Sequence, residues 1–363
     1  MTPVELSRTV RRAVRRAVDS GELSVAVPER VVVTPPRPGG CGDYASNVAL
    51  QLARPAGQPA LRVAQVLRGH LLQDEAIDDI SVTGPGFINI TLRRHGSGTR
   101  AGVLVDRVLR GGVAYGSVQA QTDGSPFQSC VVHLRPVCEV RAVVVADVVA
   151  RLLRAQGAAV STSCDGEAPA AWGDVLGARS DCRRTPPVES YVTVRPVPAP
   201  ADPLPLGRDA GRWALLLPAG HDRPRVSADP HLVQRESNPL FRVRYAHART
   251  RALSRNAADL GFQAEPGAVG GAEGEAGAET LLGLLADHPR ILARAAELRA
   301  PDVLARHLVT VADAVLPFLA GVLPVGEEKP SAAHRARLAL AEAAGTVLAG
   351  GLYLLGIDAP DHL

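Results

Sequence analysis

The last third of the chain limits the fold most, because apolar residues recur there at helical spacing in one segment after another. Each such segment has an apolar face that must be buried against a neighbour. Several of them in succession predict a helical bundle. The predicted helices cover residues 245–260, 280–285, 289–300, 303–319 and 332–348, and a loop rich in Gly, Ala and Glu covers residues 265–277.

The first 95 residues mix helices and strands. Apolar residues at i+4 steps predict an amphipathic opening helix with a basic side. Its apolar positions are Leu6, Val10, Val14 and Val18, and its basic positions are Arg8, Arg11, Arg12 and Arg15. After a Pro/Gly-rich turn at residues 35–40, helices are predicted at 44–53 and, starting at Pro59, at 60–72. Alternating apolar residues around the turn Gly84–Gly86 predict two short strands.

Residues 96–235 are less regular. A strand at 131–132 leads to a helix at 143–156, and stretches rich in Pro and Gly, such as 195–207, are typical of loops or linkers. The pattern therefore predicts three segments: an α/β unit at 1–95, a middle segment at 96–235 and a helical domain at 236–363.

Composition argues against several classes of protein. The five cysteines are scattered without a C-x-x-C pair, which argues against a disulfide framework and a zinc site; they are Cys41, Cys130, Cys138, Cys164 and Cys182. We expect neither a bilayer-spanning run nor a secretory signal, and hence a cytoplasmic protein that does not bind membranes. The formal charge of +3 says little about nucleic acid. Lys329 is the only lysine, so arginine, whose planar fork suits phosphate, carries nearly all positive charge.

Four stretches, in order along the chain, resemble the arginyl-tRNA synthetase family. Residues 42–50 read GDYASNVAL, residues 84–89 read GPGFIN, Asn238–Pro239 precede YAHAR at 245–249, and residues 351–360 are similar to the C-terminus of that family. The resemblance implies an α+β multidomain fold. Its parts are a small N-terminal α/β domain at the tRNA corner, a truncated Rossmann-like remnant and an all-α anticodon-binding bundle of the DALR type.

In that family the N-terminal domain touches the tRNA corner at the D-loop. The resemblance therefore assigns tRNA contact to Phe87 and Asn89 of the GPGFIN turn, and to Tyr44 and Asn47 of the first stretch. An aromatic face can hold an unstacked base while an amide pairs with its edge. The alternative is structural, with Phe87 in the core and Asn89 in the turn.

The bundle that begins at YAHAR binds the anticodon stem-loop in the same family. The resemblance assigns this role to residues of one helix, namely Arg242, Arg244, Tyr245, His247, Arg249, Arg251 and Arg255. Arg242 and Arg244 stand where the family commonly has uncharged residues, so they add charge that favours a phosphate backbone. A solvated basic face, or packing of Tyr245 and His247 in the bundle, would explain the same residues.

In this chain, residues 315–320 lack the Tyr and Asn of an aromatic-rich run that the family has at this position. Their absence puts specificity for arginine anticodons in doubt. Pro317 in this run is expected to kink or split the helix.

The catalytic motifs of the family are missing. Its HxGH and KMSKS-type motifs supply imidazoles and lysines that stabilise negative charge developing on ATP. Residues 147–153 resemble the helix after HxGH, and counting back from Asp147 places Arg141 just after the motif. The four motif positions are then Pro136, Val137, Cys138 and Glu139. No lysine precedes Lys329, so we predict no catalytic residue, no cofactor and no metal.

Three functions remain open at this point. The first is a non-catalytic tRNA-binding protein that acts in tRNA delivery, sequestration or regulation. Its expected partners are tRNA, with arginine tRNA as the leading candidate, and an enzyme that uses aminoacyl-tRNA. The second is a protein-interaction scaffold that has lost RNA binding, and the third is an arginine–tRNA ligase with a divergent active site. The oligomeric state does not follow from the sequence.

Overall fold

The computed structural model describes residues 3–34, 36, 42–74, 76–92, 97–118, 130–164, 166, 168–178, 191–269 and 272–363, and gives the backbone alone at 97–100 and 272–276. The predicted turn at 35–40 lies outside these residues apart from Pro36, as do Cys41 and Cys182. The chain divides into two compact units, residues 1–100 and 101–363. Each unit has a hydrophobic core of its own.

The described residues of the first unit form three helices and a four-stranded antiparallel sheet. The helices are α1 (Pro3–Asp19), α2 (Val48–Ala56) and α3 (Ala60–Leu71), and the strands are β1 (Val33–Thr34), β2 (Tyr44–Ser46), β3 (Ile77–Thr83) and β4 (Phe87–Leu92), in the order β1-β2-β4-β3. Leu6, Val10 and Val14 of α1 are fully buried, as are Ile88 and Ile90 of β4. The amphipathic opening helix, the helix at 60–72 and the two strands are thereby confirmed.

The helix predicted at 44–53 is wrong at its start. Tyr44 and Ser46 pair with Ile90 and Ile88 of β4, and the helix begins at Val48. Gly42 allows this pairing, because its φ is +84° and a Cβ there would lie 2.9 Å from the carbonyl oxygen of Ile90. Pairing with a strand more than forty residues away leaves no trace in local helical periodicity, which explains the error.

The predicted Rossmann-like remnant is a three-stranded parallel sheet in the second unit. Strand β5 (Val131–Pro136) is followed by α5 (Val140–Ala155) and β6 (Ala159–Thr162), and β7 (Val192–Val194) pairs with the other side of β5. The expected strand at 131–132 and helix at 143–156 are confirmed and extended. Helices α4 (Ser97–Gly111), α6 (Ala170–Leu176) and α7 (Gly207–Leu216) complete this part.

The predicted helical bundle is confirmed in the rest of the second unit. Its helices are α8 (Ala228–His231), α9 (Pro239–Asp259), α10 (Ala272–Leu298), α11 (Pro301–Phe318) and α12 (Ala332–Leu355). Two predictions are corrected. The segments at 280–285 and 289–300 form one helix, α10, with Pro289 inside it, and this helix includes the end of the predicted loop at 265–277, of which residues 270 and 271 are not described. Pro317 lies in the last turn of α11, where it does not split the helix.

The parallel sheet and the bundle share one core, and a buried arginine joins them. The fully buried Arg212 of α7 donates to the carbonyl oxygen of Leu355 at 2.7 Å and to that of Leu176 at 2.8 Å. Its Nη2 also pairs with Asp147 Oδ2 of α5 at 2.6 Å. These contacts link α5, α6, α7 and α12, so the boundary predicted at residue 235 lies inside a single compact unit.

Within the described ranges, two helices are long and apolar enough to cross a bilayer by length and composition alone, so the expectation that no such run exists is wrong. They cover Pro301–Gly321 and α12. In the most apolar windows of these helices, 44% and 78% of the residues are buried inside the protein. Core helices of a bundle have the same composition, because they are apolar on most sides.

Candidate nucleic-acid interface

The parallel sheet has the topology that builds nucleotide sites in related folds. The chain passes from β5 through α5 to β6, whereas β7 lies on the opposite side of β5. Ligands of open parallel sheets bind beyond the carboxyl ends of the strands at such a reversal of strand order. The first turn of α5 lies there, and the free N–H groups of a helix N-terminus attract anions. Residues 137–142 are therefore where a phosphate would be expected.

Glu139 places a carboxylate of the chain itself in this position. Its Oε2 accepts a hydrogen bond from the N–H of Ala142 at 3.0 Å, and its Oε1 accepts one from the N–H of Ala199 at 3.0 Å. The N–H of Val137 donates to the carbonyl oxygen of Val194 at 3.2 Å. The crevice between β5 and β7 is therefore bridged by the backbone and carries a negative charge, which opposes a phosphate.

Arg141, in the first turn of α5, is directed at the backbone. The side chain is fully buried, and burial lowers the pKa of its guanidinium. It donates five hydrogen bonds of 2.7 to 3.0 Å, all to carbonyl oxygens, which belong to Val197, Leu215, Pro218, Ala219 and Asp222. Arg141 thus holds the segments around residues 197 and 215–222 together and has no donor left for a phosphate.

The four positions assigned to the HxGH motif lie together at the carboxyl end of β5. Pro136 is buried, Val137 is half-buried, Cys138 is exposed and Glu139 caps α5. The histidine that precedes them, His133, is buried in β5, and its two ring nitrogens lie 2.8 and 2.7 Å from the hydroxyl oxygens of Ser161 and Ser163. This imidazole is held inside the sheet.

In the first unit, one exposed ring is the main candidate for RNA contact. Phe87 is 40% exposed at the start of β4. The register that pairs Ser46 with Ile88 makes Asn47 and Phe87 the next neighbours, and the Asn47 side chain makes no capping hydrogen bond to α2. Asn89 differs, because it is 3% exposed and its Nδ2 donates to Thr83 Oγ1 at 2.7 Å. The ring of Phe87 and the amide of Asn47 are thus the pair that a base could reach.

Tyr44 lies in β2, on the side of the sheet that faces the core. Its ring is half-buried against the hydrophobic core of the first unit. Tyr44 therefore supports the strand that carries its neighbours, and the sequence-based assignment to tRNA contact stays a prediction.

Helix α9 presents a row of planar groups to solvent. Phe241 and Tyr245 are one helical turn apart and stack, with ring centroids 5.6 Å apart and an angle of 15° between the planes. Arg249 follows one turn later, is exposed and has no partner among the described residues. We call these three residues the α9 strip. Aromatic rings and a guanidinium in line form a surface on which bases can stack. Phe241 is a further member of this surface, and its i+4 spacing from Tyr245 is the sequence signal that indicates it.

The other four arginines on α9 are engaged within the chain. Arg242 pairs with Asp313 at 3.2 Å, and Arg244 pairs with Asp209 at 3.4 Å. Arg251 pairs with Asp361 at 3.1 Å, and Arg255 donates to the carbonyl oxygen of the same residue at 3.3 Å. Arg251 and Arg255 thus both contact the C-terminal segment at Asp361.

His247 is part of the core. It is 4% exposed, and its Nδ1 lies 3.1 Å from the carbonyl oxygen of Pro360. Burial lowers the pKa of this imidazole, which favours the neutral ring. Of the seven residues predicted on α9, Tyr245 and Arg249 are therefore the two that are exposed and make no hydrogen bond or ion pair with the described residues.

Two family models match this chain, one over the helical bundle and one over the first unit. Residues 243–363 match the DALR anticodon binding domain, and residues 5–92 match the arginyl tRNA synthetase N terminal domain. The two matches define a protein of the aminoacyl-tRNA synthetase class with an anticodon-binding helical domain. Within that class, the chain belongs to the arginyl-tRNA synthetase family.

Curated relatives carry the name arginine–tRNA ligase. The chain is 39% identical over 170 residues to that of Renibacterium salmoninarum, covering 45% of this chain but only 30% of the relative. It is 41% identical over 170 residues to that of Pseudarthrobacter chlorophenolicus, again covering 30% of the relative. An alignment with the Paenarthrobacter aurescens protein covers both chains fully at 25% identity.

Solved structures show the same fold at low sequence identity. The arginyl-tRNA synthetase of Thermus thermophilus aligns over the whole of both chains, with a TM-score of 0.67 and 15% identity. That of Plasmodium falciparum aligns over 99% of both chains, with a TM-score of 0.59 and 9% identity.

Proposed function

We propose that this protein binds tRNA and does not activate an amino acid. The observation that carries the proposal is the carboxylate of Glu139 at the N-terminus of α5. Adenylation needs groups that stabilise negative charge developing on ATP. Here the positive end of the helix already holds an anion, and Arg141 donates to backbone carbonyls. A phosphate at this point would meet repulsion from Glu139, whereas the family motif would offer it imidazoles.

The length of the chain supports the same proposal. The alignment with the Paenarthrobacter aurescens protein runs over 558 positions, whereas this chain has 363 residues, so roughly 195 positions have no residue here. The two family matches lie at residues 5–92 and 243–363. On this proposal the missing positions belong to the middle segment, which carries the parallel sheet.

Two surfaces support tRNA binding. Phe87 and Asn47 in the first unit offer a ring and an amide to an unstacked base, and the α9 strip offers a stacking surface in the anticodon-binding domain. On this proposal the protein acts in the delivery, sequestration or regulation of tRNA in the cytoplasm. Arginine tRNA is the first candidate, because the relatives named above are arginine–tRNA ligases.

A protein-interaction scaffold is the second candidate, and one observation favours it. Arg242, Arg244 and Arg251 pair with carboxylates of the same chain, which lowers the charge that α9 offers to RNA. On this alternative the synthetase fold persists without RNA binding, and the α9 strip would contact protein.

Arginine-dependent exchange of pyrophosphate into ATP tests the absence of chemistry. We expect no exchange above a sample without protein, in a preparation that still binds tRNA at low salt. An active arginine–tRNA ligase from one of the relatives serves as the positive control. Arginine-dependent exchange would instead establish a ligase with a divergent site. Failure to bind any tRNA at low salt would favour the scaffold.

A further inference from the structure

The solvent side of α1 carries five arginines in one band, which we call the α1 band: Arg8, Arg11, Arg12, Arg15 and Arg16. At about 100° per residue they fall within an arc of roughly 140°, and at 1.5 Å per residue they span about 12 Å. The opposite side of the helix carries Leu6, Val10, Val14 and Ala17, which are fully buried. The fold therefore fixes the band as an outward-facing surface.

Four arginines of the α1 band, Arg11, Arg12, Arg15 and Arg16, have charges that are weakly neutralised. Arg15 is exposed and has no partner among the described residues. Arg11 and Arg16 contact neutral oxygen atoms, namely the carbonyl oxygen of Glu29 at 3.3 Å and Oε1 of Gln73 at 3.1 Å. Arg12 lies 3.8 Å from Asp74, at the outer limit of an ion pair. This differs from α9, where three arginines have carboxylate partners at 3.1 to 3.4 Å.

We propose that the α1 band binds the phosphate backbone of RNA. The proposal rests on the proposed tRNA-binding function and extends it to a surface that the resemblance did not assign. Guanidinium groups bind phosphate oxygens in pairs of hydrogen bonds, and several of them along one helix can follow a charged strand. An anionic membrane fits less well, because a helix that inserts at a membrane surface needs an exposed apolar side, whereas that side of α1 forms the core.

The test removes two of these charges in the whole protein and measures tRNA affinity against salt. In a plot of the logarithm of the association constant against the logarithm of the salt concentration, the slope is negative. In Arg11→Gln/Arg15→Gln, loss of two phosphate contacts should make this slope shallower by about 1.4 to 1.8. At 0.15 M salt, loss of the same two phosphate contacts corresponds to about 10- to 30-fold weaker tRNA binding. The matched control is Arg54→Gln/Arg62→Gln, which removes two exposed arginines of the same unit that also have no partner among the described residues. Circular dichroism checks that both variants are folded.

The outcomes separate the α1 band from the proposed function. A loss in the α1 variant with the control unchanged supports the proposal. Equal affinity of the wild type and the α1 variant overturns it while leaving tRNA binding intact, and an equal loss in the control overturns it as a general charge effect. A wild type that binds no tRNA contradicts the proposed function itself. Binding to vesicles of anionic phospholipid without binding to tRNA would assign the band to membranes.

Discussion

Lowering the pH from 7 to 5 perturbs a pair of histidines buried in the second unit. His288 of α10 stacks on His307 of α11, with ring centroids 5.2 Å apart, and on Tyr115 at 5.9 Å. Nδ1 of His288 and Nε2 of His307 are buried without a hydrogen-bond partner in the described residues. Burial lowers the pKa of His307 to about 4. Burial, together with repulsion from His307, lowers the pKa of His288 well below its ordinary value.

The sign and size of the effect follow from these pKa values. Because the folded-state pKa lies below the unfolded value, the unfolded chain takes up protons first as the pH falls. Stability is therefore lost from about pH 6.5 downward. With a pKa of 6.5 unfolded and about 4 folded, His307 alone lowers the free energy of unfolding by about 2 kcal/mol between pH 7 and pH 5. His288 contributes with the same sign.

Urea denaturation followed by tryptophan fluorescence measures this loss in the second unit alone, because Trp172 and Trp213 are the only tryptophans and both lie there. In His307→Leu we expect the loss between pH 7 and pH 5 to shrink by about 2 kcal/mol. The control is His221→Gln, whose native side chain is 86% exposed. An equal loss in wild type and His307→Leu would refute the reasoning.

Three further predictions concern other contacts. Replacing Arg141 with Met leaves five carbonyl oxygens without their donor. At about 1.5 to 3 kcal/mol per charged hydrogen bond the simple sum would be roughly 8 to 15 kcal/mol, but bonds made by one side chain are not additive, so we expect the free energy of unfolding to fall by at least about 4 kcal/mol. The exposed Arg235→Met should stay within about 0.5 kcal/mol, and a similar small change in both variants would contradict the structural role of Arg141. Gly350→Ala should lower the free energy of unfolding by about 1 to 3 kcal/mol, because the new Cβ would lie 2.6 Å from the carbonyl oxygen of Val113. Gly283→Ala has open space around the new Cβ and should raise the free energy of unfolding by up to about 1 kcal/mol. Urea denaturation of the two variants measures the difference. Arg249→Gln should weaken tRNA binding in a filter-binding assay by about 3- to 5-fold at 0.15 M salt, which is the size of one phosphate contact. Arg255→Gln, which loses a contact within the chain, should weaken tRNA binding less. The reverse order would exclude the α9 strip as a tRNA contact.

The helical bundle could be predicted because its cause is local. Apolar residues at helical spacing describe a buried face whatever that face contacts, so α9, α11 and α12 are visible in the sequence. Tyr44–Ser46 could not be recognised as a strand, because pairing with β4 decides its conformation. Pro289 is typical of a helix boundary, but α10 accommodates this proline inside a continuous helix.

The candidate site follows the same division. The i+4 relation of Tyr245 and Arg249 was visible, and both are exposed. The engagement of Arg244 and Arg251 was not, because their partners, Asp209 and Asp361, lie far away in the sequence. The sequence places Glu139 at a motif position, but its capping of α5 and its bond to the N–H of Ala199 are visible only in the fold.

Sequencing the RNA retained by the protein tests the central claim most directly. The protein is purified at low salt from its own cells, beside a mock purification. We predict enrichment of a narrow set of tRNAs, with arginine acceptors foremost. Recovery of no tRNA above the mock purification would contradict the account and direct attention to protein partners of the α9 strip.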